Sequence, residues 1–168
     1  LKVGDRNIEV VFPSDSNGVI DETKLQVIEK ALQESPVGLF DGVDHILINP
    51  KEAQVDRIGV VLGGPYASKA EGTSKGRLVN IFPAGLKTKD SRLIGTVIHE
   101  MGHTKSQHVF GDTDPGEIWA KAMAKDNRGS ITRYCGKNND EDFAEAIRMY
   151  LETKGGVADF QYRERYKN

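Results

Sequence analysis

The chain is poor in several things, and each shortage excludes something. It holds one cysteine, Cys135, so no disulfide can form within it. Its formal net charge is −2, without the basic excess of general nucleic-acid binders, so nucleic acid is not expected as a partner. No apolar run approaches the ~20 residues that cross a bilayer, so no membrane span is expected. The first residues, LKVGDRNIEV, lack the apolar core of a signal peptide. That leaves a cytosolic protein or a mature domain of a larger chain, and a start inside an apparent strand favours the second. Repeats and low-complexity tracts are absent. What remains is ordinary: 168 residues, 38% apolar and 29% charged, which suits one domain over residues 1–168 with one core.

The first part, residues 1–88, reads as a small sheet with one helix. NIEVVFP (residues 7–13), HILINP (45–50), RIGVVLGG (57–64) and RLVNIFP (77–83) are rich in β-branched residues and read as strands. SDSNG (14–18) is turn chemistry. From 21 to 34 the apolar residues Leu25, Val27, Ile28, Ala31 and Leu32 have helical spacing, and Ser35-Pro36 stops the run. GGPYASKAEGTSKG (63–76) reads as a mobile loop or wide hairpin.

The second part, residues 89–168, is helical. Leu93, Ile94, Val97, Ile98 and Met101 form an apolar stripe from 91 to 105, with Asp90 or Ser91 as cap. A short helix with Trp119 is expected over 117–125. A stronger one is expected over 140–153, with Phe143, Ala144, Ile147, Tyr150 and Leu151 inward and Gly155-Gly156 as its stop. The tail DFQYRERYKN can form a last short helix.

HEMGH (residues 99–103) lies on the first of these helices. His99 and His103 stand at i and i+4, so both rings leave one face and suit one zinc ion. Glu100 is turned about 100° from His99, beside such an ion, where a base for its water belongs. Met101 faces the core, and Gly102 leaves room for a neighbouring backbone. So short a pattern also arises by chance on a solvated helix. The surrounding apolar stripe makes this helix central, and a buried helix rarely carries such groups without partners.

A hydrolytic zinc takes three protein ligands and one open position. His108 is too close for the elongated metzincin pattern, because Ser106 and Val109 occupy the positions that need glycine and histidine. Asp112 and Asp114 read equally well as turn and capping residues, and Cys135 as an inert structural thiol. The best candidate is Glu141. Glu141 and Glu145 share a helix face; one can bind the metal and the other can accept the Nδ1–H of a ligand histidine. The plain alternative is two solvated glutamates, with Glu145 pairing to Arg148.

HEMGH together with YCGKNNDEDFAEA (residues 134–146) resembles the anthrax lethal factor-like and Pro-Pro endopeptidase-like zinc metallopeptidases, which are gluzincins. Tyr134 stands seven positions before Glu141, and Glu145 four after it, within the ending Phe143-Ala144-Glu145. The resemblance covers roughly residues 91–150. It implies an α+β zincin-like fold, a small mixed sheet whose edge strand lies over the HExxH helix, and one Zn²⁺ per chain. His99, His103 and Glu141 would be ligands, Glu100 the general base, Tyr134 the oxyanion-supporting hydroxyl, and Glu145 a group behind the ligands. Two departures stand out. Asp142 replaces an aromatic residue, and Trp119 lies downstream of HExxH rather than upstream, so Pro-Pro specificity is not carried over.

The functional expectation is a zinc endopeptidase acting on a peptide or protein substrate. It would be the toxin or effector domain of a larger protein that is secreted or delivered into a target cell. RLVNIFP is expected to be the edge strand that binds substrate, through Arg77, Leu78, Val79 and Asn80. The alternatives are a zinc amidase of the same fold and an inactive zincin used for binding. The presence of Glu100 counts against the second.

Overall fold

A computed structural model of the chain describes residues 1–11, 22–49, 70–110, 115–126 and 138–153. Within them the architecture is α+β, with five helices and two small sheets. β1 (Lys2–Val3) and β2 (Arg6–Asn7) form a short antiparallel ribbon around Gly4, whose φ is 58°. The larger sheet holds β3 (Glu9–Val11), β4 (His45–Ile48), β5 (Gly72–Lys75) and β6 (Leu78–Ile81), in the order β3-β4-β6-β5. β3, β4 and β6 are mutually parallel, and β5 runs antiparallel to β6. The sheet is mixed, as the resemblance implied. The strand read at 57–64 lies outside the described residues, as do the turn at 14–18 and the tail.

α1 (Glu22–Glu34) carries the chain from β3 across to β4. It buries Val27, Ile28, Ala31 and Leu32. Its end is set by Ser35, whose hydroxyl donates to the Ala31 carbonyl at 2.7 Å, ahead of Pro36. The core forms where this face meets Ile46, Val79 and Ile81 of the sheet and Leu93, Val97 and Met101 of the HEMGH helix. Fully burying a side chain of this kind is worth roughly 1.5–3 kcal/mol.

That helix is α3 (Asp90–Phe110), preceded by the short α2 (Pro83–Leu86). It is longer than the residue pattern indicated. Asp90 is its first helical residue, and its carboxylate accepts from Lys24 Nζ at 2.7 Å, which ties α1 to α3. Residues 97 to 102 are all buried, although a surface helix buries only one stripe. The reason is that α3 is covered twice, by the sheet and α1 on one side and by α5 (Asn139–Glu152) on the other.

Gly102 makes the second covering close. A Cβ placed there would lie 3.0 Å from Ala144 Cα and 3.3 Å from Ala144 Cβ. α5 starts where Asn138 accepts from the Glu141 amide at 2.7 Å, a side-chain cap on an acidic first turn. Along α5, Ala144 is buried as the pattern required, but Tyr150 is 59% exposed rather than inward. Asp142 and Glu145 are buried in its place, because they have polar partners across the helix interface. α4 (Pro115–Asp126) is pinned to α5 by Trp119, whose Nε1 donates to Asp142 at 2.8 Å and whose ring meets Phe143 edge-on. This explains an aspartate where the resemblance has an aromatic residue: it receives the indole N–H.

Among the described residues no helix is long and apolar enough to cross a membrane. Substituting Gly102→Leu should force α3 and α5 apart. Overpacking of this kind costs about 1–3 kcal/mol, against the roughly 1 kcal/mol that leaving glycine gains in a helix. The expected outcome is a lower urea midpoint.

Candidate metal centre

His99 is buried and His103 half-buried on the face of α3 that meets α5. Glu141, in the first turn of α5, points its carboxylate between them. His99 Nε2 lies 3.1 Å from Glu141 Oε2, His103 Nε2 lies 3.7 Å from the same oxygen, and the two Nε2 atoms are 3.2 Å apart. Three donor atoms thus surround one point. Donors on a tetrahedral ion with bonds of about 2.0–2.1 Å are separated by roughly 3.4 Å, so the triangle is of the right size. Among the described residues this is the one group of three such side chains that could hold a metal.

The charges fit the same reading. Burial pulls the His99 pKa down, but hydrogen bonding to Glu141 and Glu145 and the charge of Glu100 outweigh it and raise the value to about 9. Glu141 moves the opposite way. Burial would raise it, yet its hydrogen bonds with His103 and His99 hold the carboxyl well below the usual range. Imidazole and carboxylate thus each favour the charged form of the other.

Glu145 lies one turn beyond Glu141, with Oε2 3.3 Å from His99 Nδ1. It faces the His99 ring nitrogen on the side away from Glu141. It also accepts from Arg148 Nη2, the pairing that the plain alternative named, but it is buried rather than solvated. Glu100 faces the other way, toward β5. It is 7% exposed, and burial raises its pKa against the opposing charges of His99 and His103 and a hydrogen bond with Ser74. A Cβ on Gly72 would lie 2.9 Å from Glu100 Cγ, so the glycine lets the strand reach the carboxylate.

The edge of the sheet is not RLVNIFP, the strand expected there for lying just before the HExxH helix. β6 is bonded to β4 on one side and β5 on the other, so its backbone cannot take an added strand. Val79 is fully buried in the core, and Arg77 sits in the hairpin turn with its guanidinium on Asp44, Nη2 to Oδ1 at 2.7 Å. Asn80 Nδ2 reaches Thr73 Oγ1 at 3.4 Å, and Leu78 pairs with Lys75. Arg77, Leu78, Val79 and Asn80 are therefore not an open strand for substrate. Among the described residues the outer strand on this side is β5, in the second half of the Gly-rich stretch read as a mobile loop or wide hairpin.

β5 and β6 form a two-residue hairpin with Gly76 at φ 59°, the positive φ that such turns demand. Serine-lysine-glycine just before a strand was the signal for it. The hairpin is fastened to α3 at both ends. Glu71 receives Arg92 Nε at 2.7 Å and the Thr96 hydroxyl at 3.0 Å, and the Gly76 amide donates to Gln107 Oε1 at 3.0 Å. The Phe82 amide donates to the Glu71 carbonyl, which marks that pair as hydrogen-bonded. By antiparallel alternation Gly72 and Ser74 then turn their own N–H and C=O outward, away from β6.

His108 is exposed in the last turn of α3 and does not join the cluster. Tyr134, Cys135, Asp112 and Asp114 lie outside the described residues.

A metal on His99 Nε2 must displace the proton held there. Because the His99 pKa is raised to about 9, apparent affinity for a divalent metal such as Zn²⁺ should climb about tenfold per pH unit from neutrality and level off near pH 9. Chelator competition across pH 6.5–9.5 measures it; a flat profile would contradict the protonated triad. No family model, curated protein or solved structure matches the chain, so the assignment of this centre rests on its own geometry.

Proposed function

We propose that the chain is a zinc-dependent endopeptidase. The observation that carries this reading is the joint placement of two things: a His99, His103, Glu141 triangle of metal-sized spacing, and a buried Glu100 on α3 beside both that triangle and β5, an outer strand among the described residues. Two imidazoles and one carboxylate are a hydrolytic zinc set, with a fourth position left for water or substrate. When bound there, zinc would lower the pKa of water and polarise a carbonyl.

The protein's own groups supply the rest. Glu100 accepts a proton from the attacking water and hands it to the leaving amine nitrogen. Its raised pKa, caused by burial, brings it nearer the operating pH that general acid–base transfer favours. Glu145 accepts from His99 Nδ1 and so keeps Nε2 as the ligand atom. An extended peptide would add to β5 through the outward N–H and C=O of Gly72 and Ser74, which run past Glu100. Substrate binding is thus assigned to β5. The resemblance adds Tyr134 as the hydroxyl that donates to the developing oxyanion. It also supports the zincin-like fold and a secreted or delivered effector as the setting.

The test is zinc content and cleavage of a diverse peptide library by wild type and Glu100→Ala. The expected result is about one zinc per chain in both, with cleavage by wild type alone. Glu141→Ala should lose zinc, and Tyr134→Phe should keep it while slowing turnover. Absence of zinc in the wild type would sink the proposal; zinc without any cleavage would leave a binding module.

A further inference from the structure

Behind the triad, α5 carries a polar stripe that zinc ligation does not use up. Glu141, Glu145, Arg148 and Glu152 stand at i, i+4, i+7 and i+11, one face of one helix. The first supplies the ligand and the second its partner. The last two lie over α3 one turn before His99, where Gly95 makes room for them. A Cβ on Gly95 would come 2.6 Å from Glu152 Oε1 and 3.3 Å from Arg148 Cδ.

The two oxygens of Glu145 are divided between two partners. Oε2 faces His99 Nδ1 at 3.3 Å, and Oε1 accepts from Arg148 Nη2. Arg148 Nε is buried and lies 3.9 Å from Glu152 Oε1. Arginine and glutamate three apart on a helix are usually a solvated pair of small worth. This one is different because Glu145 is 6% exposed and lies against a ligand histidine. A carboxylate turns readily about its last torsion, so one oxygen fixed by a charged donor aims the other.

We infer that Arg148 is a positioning residue for the metal centre: clamped over Gly95, it holds Glu145 so that the second oxygen stays on His99 Nδ1 and the His99 Nε2 lone pair stays on the metal. The inference rests on the zinc reading of the triad. Groups behind a ligand typically change metal affinity ten- to a hundredfold, and Arg148 exerts such an effect from one residue further out, through Glu145.

The test is a double-mutant cycle read by Zn²⁺ affinity in chelator competition, on the 168-residue chain. Arg148→Met should weaken zinc roughly tenfold or more. In a Glu145→Ala background the same change should add almost nothing, since the group it acts through is gone. Equal losses in both backgrounds, or none in either, would overturn the inference. Arg148→Lys keeps the charge without the fork and should fall between; it replaces the methionine variant in the cycle if that variant fails to give a native circular dichroism spectrum. A second readout needs no metal: solvent exchange of the His99 Nδ1 proton by ¹⁵N-edited NMR. It should be slower in the metal-free wild type than in the Arg148 variant, and equal rates would refute the role of Arg148. Wild type that binds no zinc would refute the metal reading instead, while the exchange rates still decide between the two roles of the arginine.

Discussion

The contact between Gly102 and Ala144 is the constraint on which the rest hangs. Two helices approach until a missing side chain on one meets the backbone of the other. The rings of His99 and His103 flank that point on α3, and Glu141 and Glu145 flank it on α5. With the axes this close, two imidazoles and two carboxylates are pressed together, His99 and Glu145 buried and His103 and Glu141 half-buried. They must then satisfy one another, with a proton or with a metal. Gly95 repeats the device one turn earlier and admits Arg148 and Glu152.

The buried charges show which arrangement wins. Desolvation alone would neutralise His99 and Glu141, yet their mutual attraction reverses both shifts. For Glu100, one residue along the helix and against β5, burial outweighs the opposing charges of His99 and His103 and the hydrogen bond with Ser74, so its shift stays upward. One step of about 100° around the helix therefore separates a histidine whose charged form is favoured from a glutamate whose neutral form is favoured.

The sheet adds the third component. β5 is held against α3 by Glu71 at one end and Gly76 at the other, with Gly72 at Glu100 between them. This fastening does not depend on α5. Glu100 thus sits between a strand tied to one side of α3 and the helix α5 packed on the other.

Much of this was legible from residue order. Helical spacing of Leu93, Val97 and Met101 placed α3 in the core, the i, i+4 histidines placed two rings on one face, and Gly102 announced a close neighbour. Those are local properties, set by the 3.6-residue repeat. The spacing of Glu141 and Glu145 fixed their shared face but left open whether it met solvent or α3, because a helix pattern does not name its partner. The edge strand was misplaced for a similar reason: RLVNIFP has the stronger β composition, and composition favours the inner strand of a sheet, whereas the outer strand is built from Gly72, Thr73, Ser74 and Lys75 and is a strand only because β6 pairs with it. The sequence by itself determined which atoms share a helix face. Only the tertiary structure decided which faces meet, since register and helix approach depend on contacts between residues far apart in the chain.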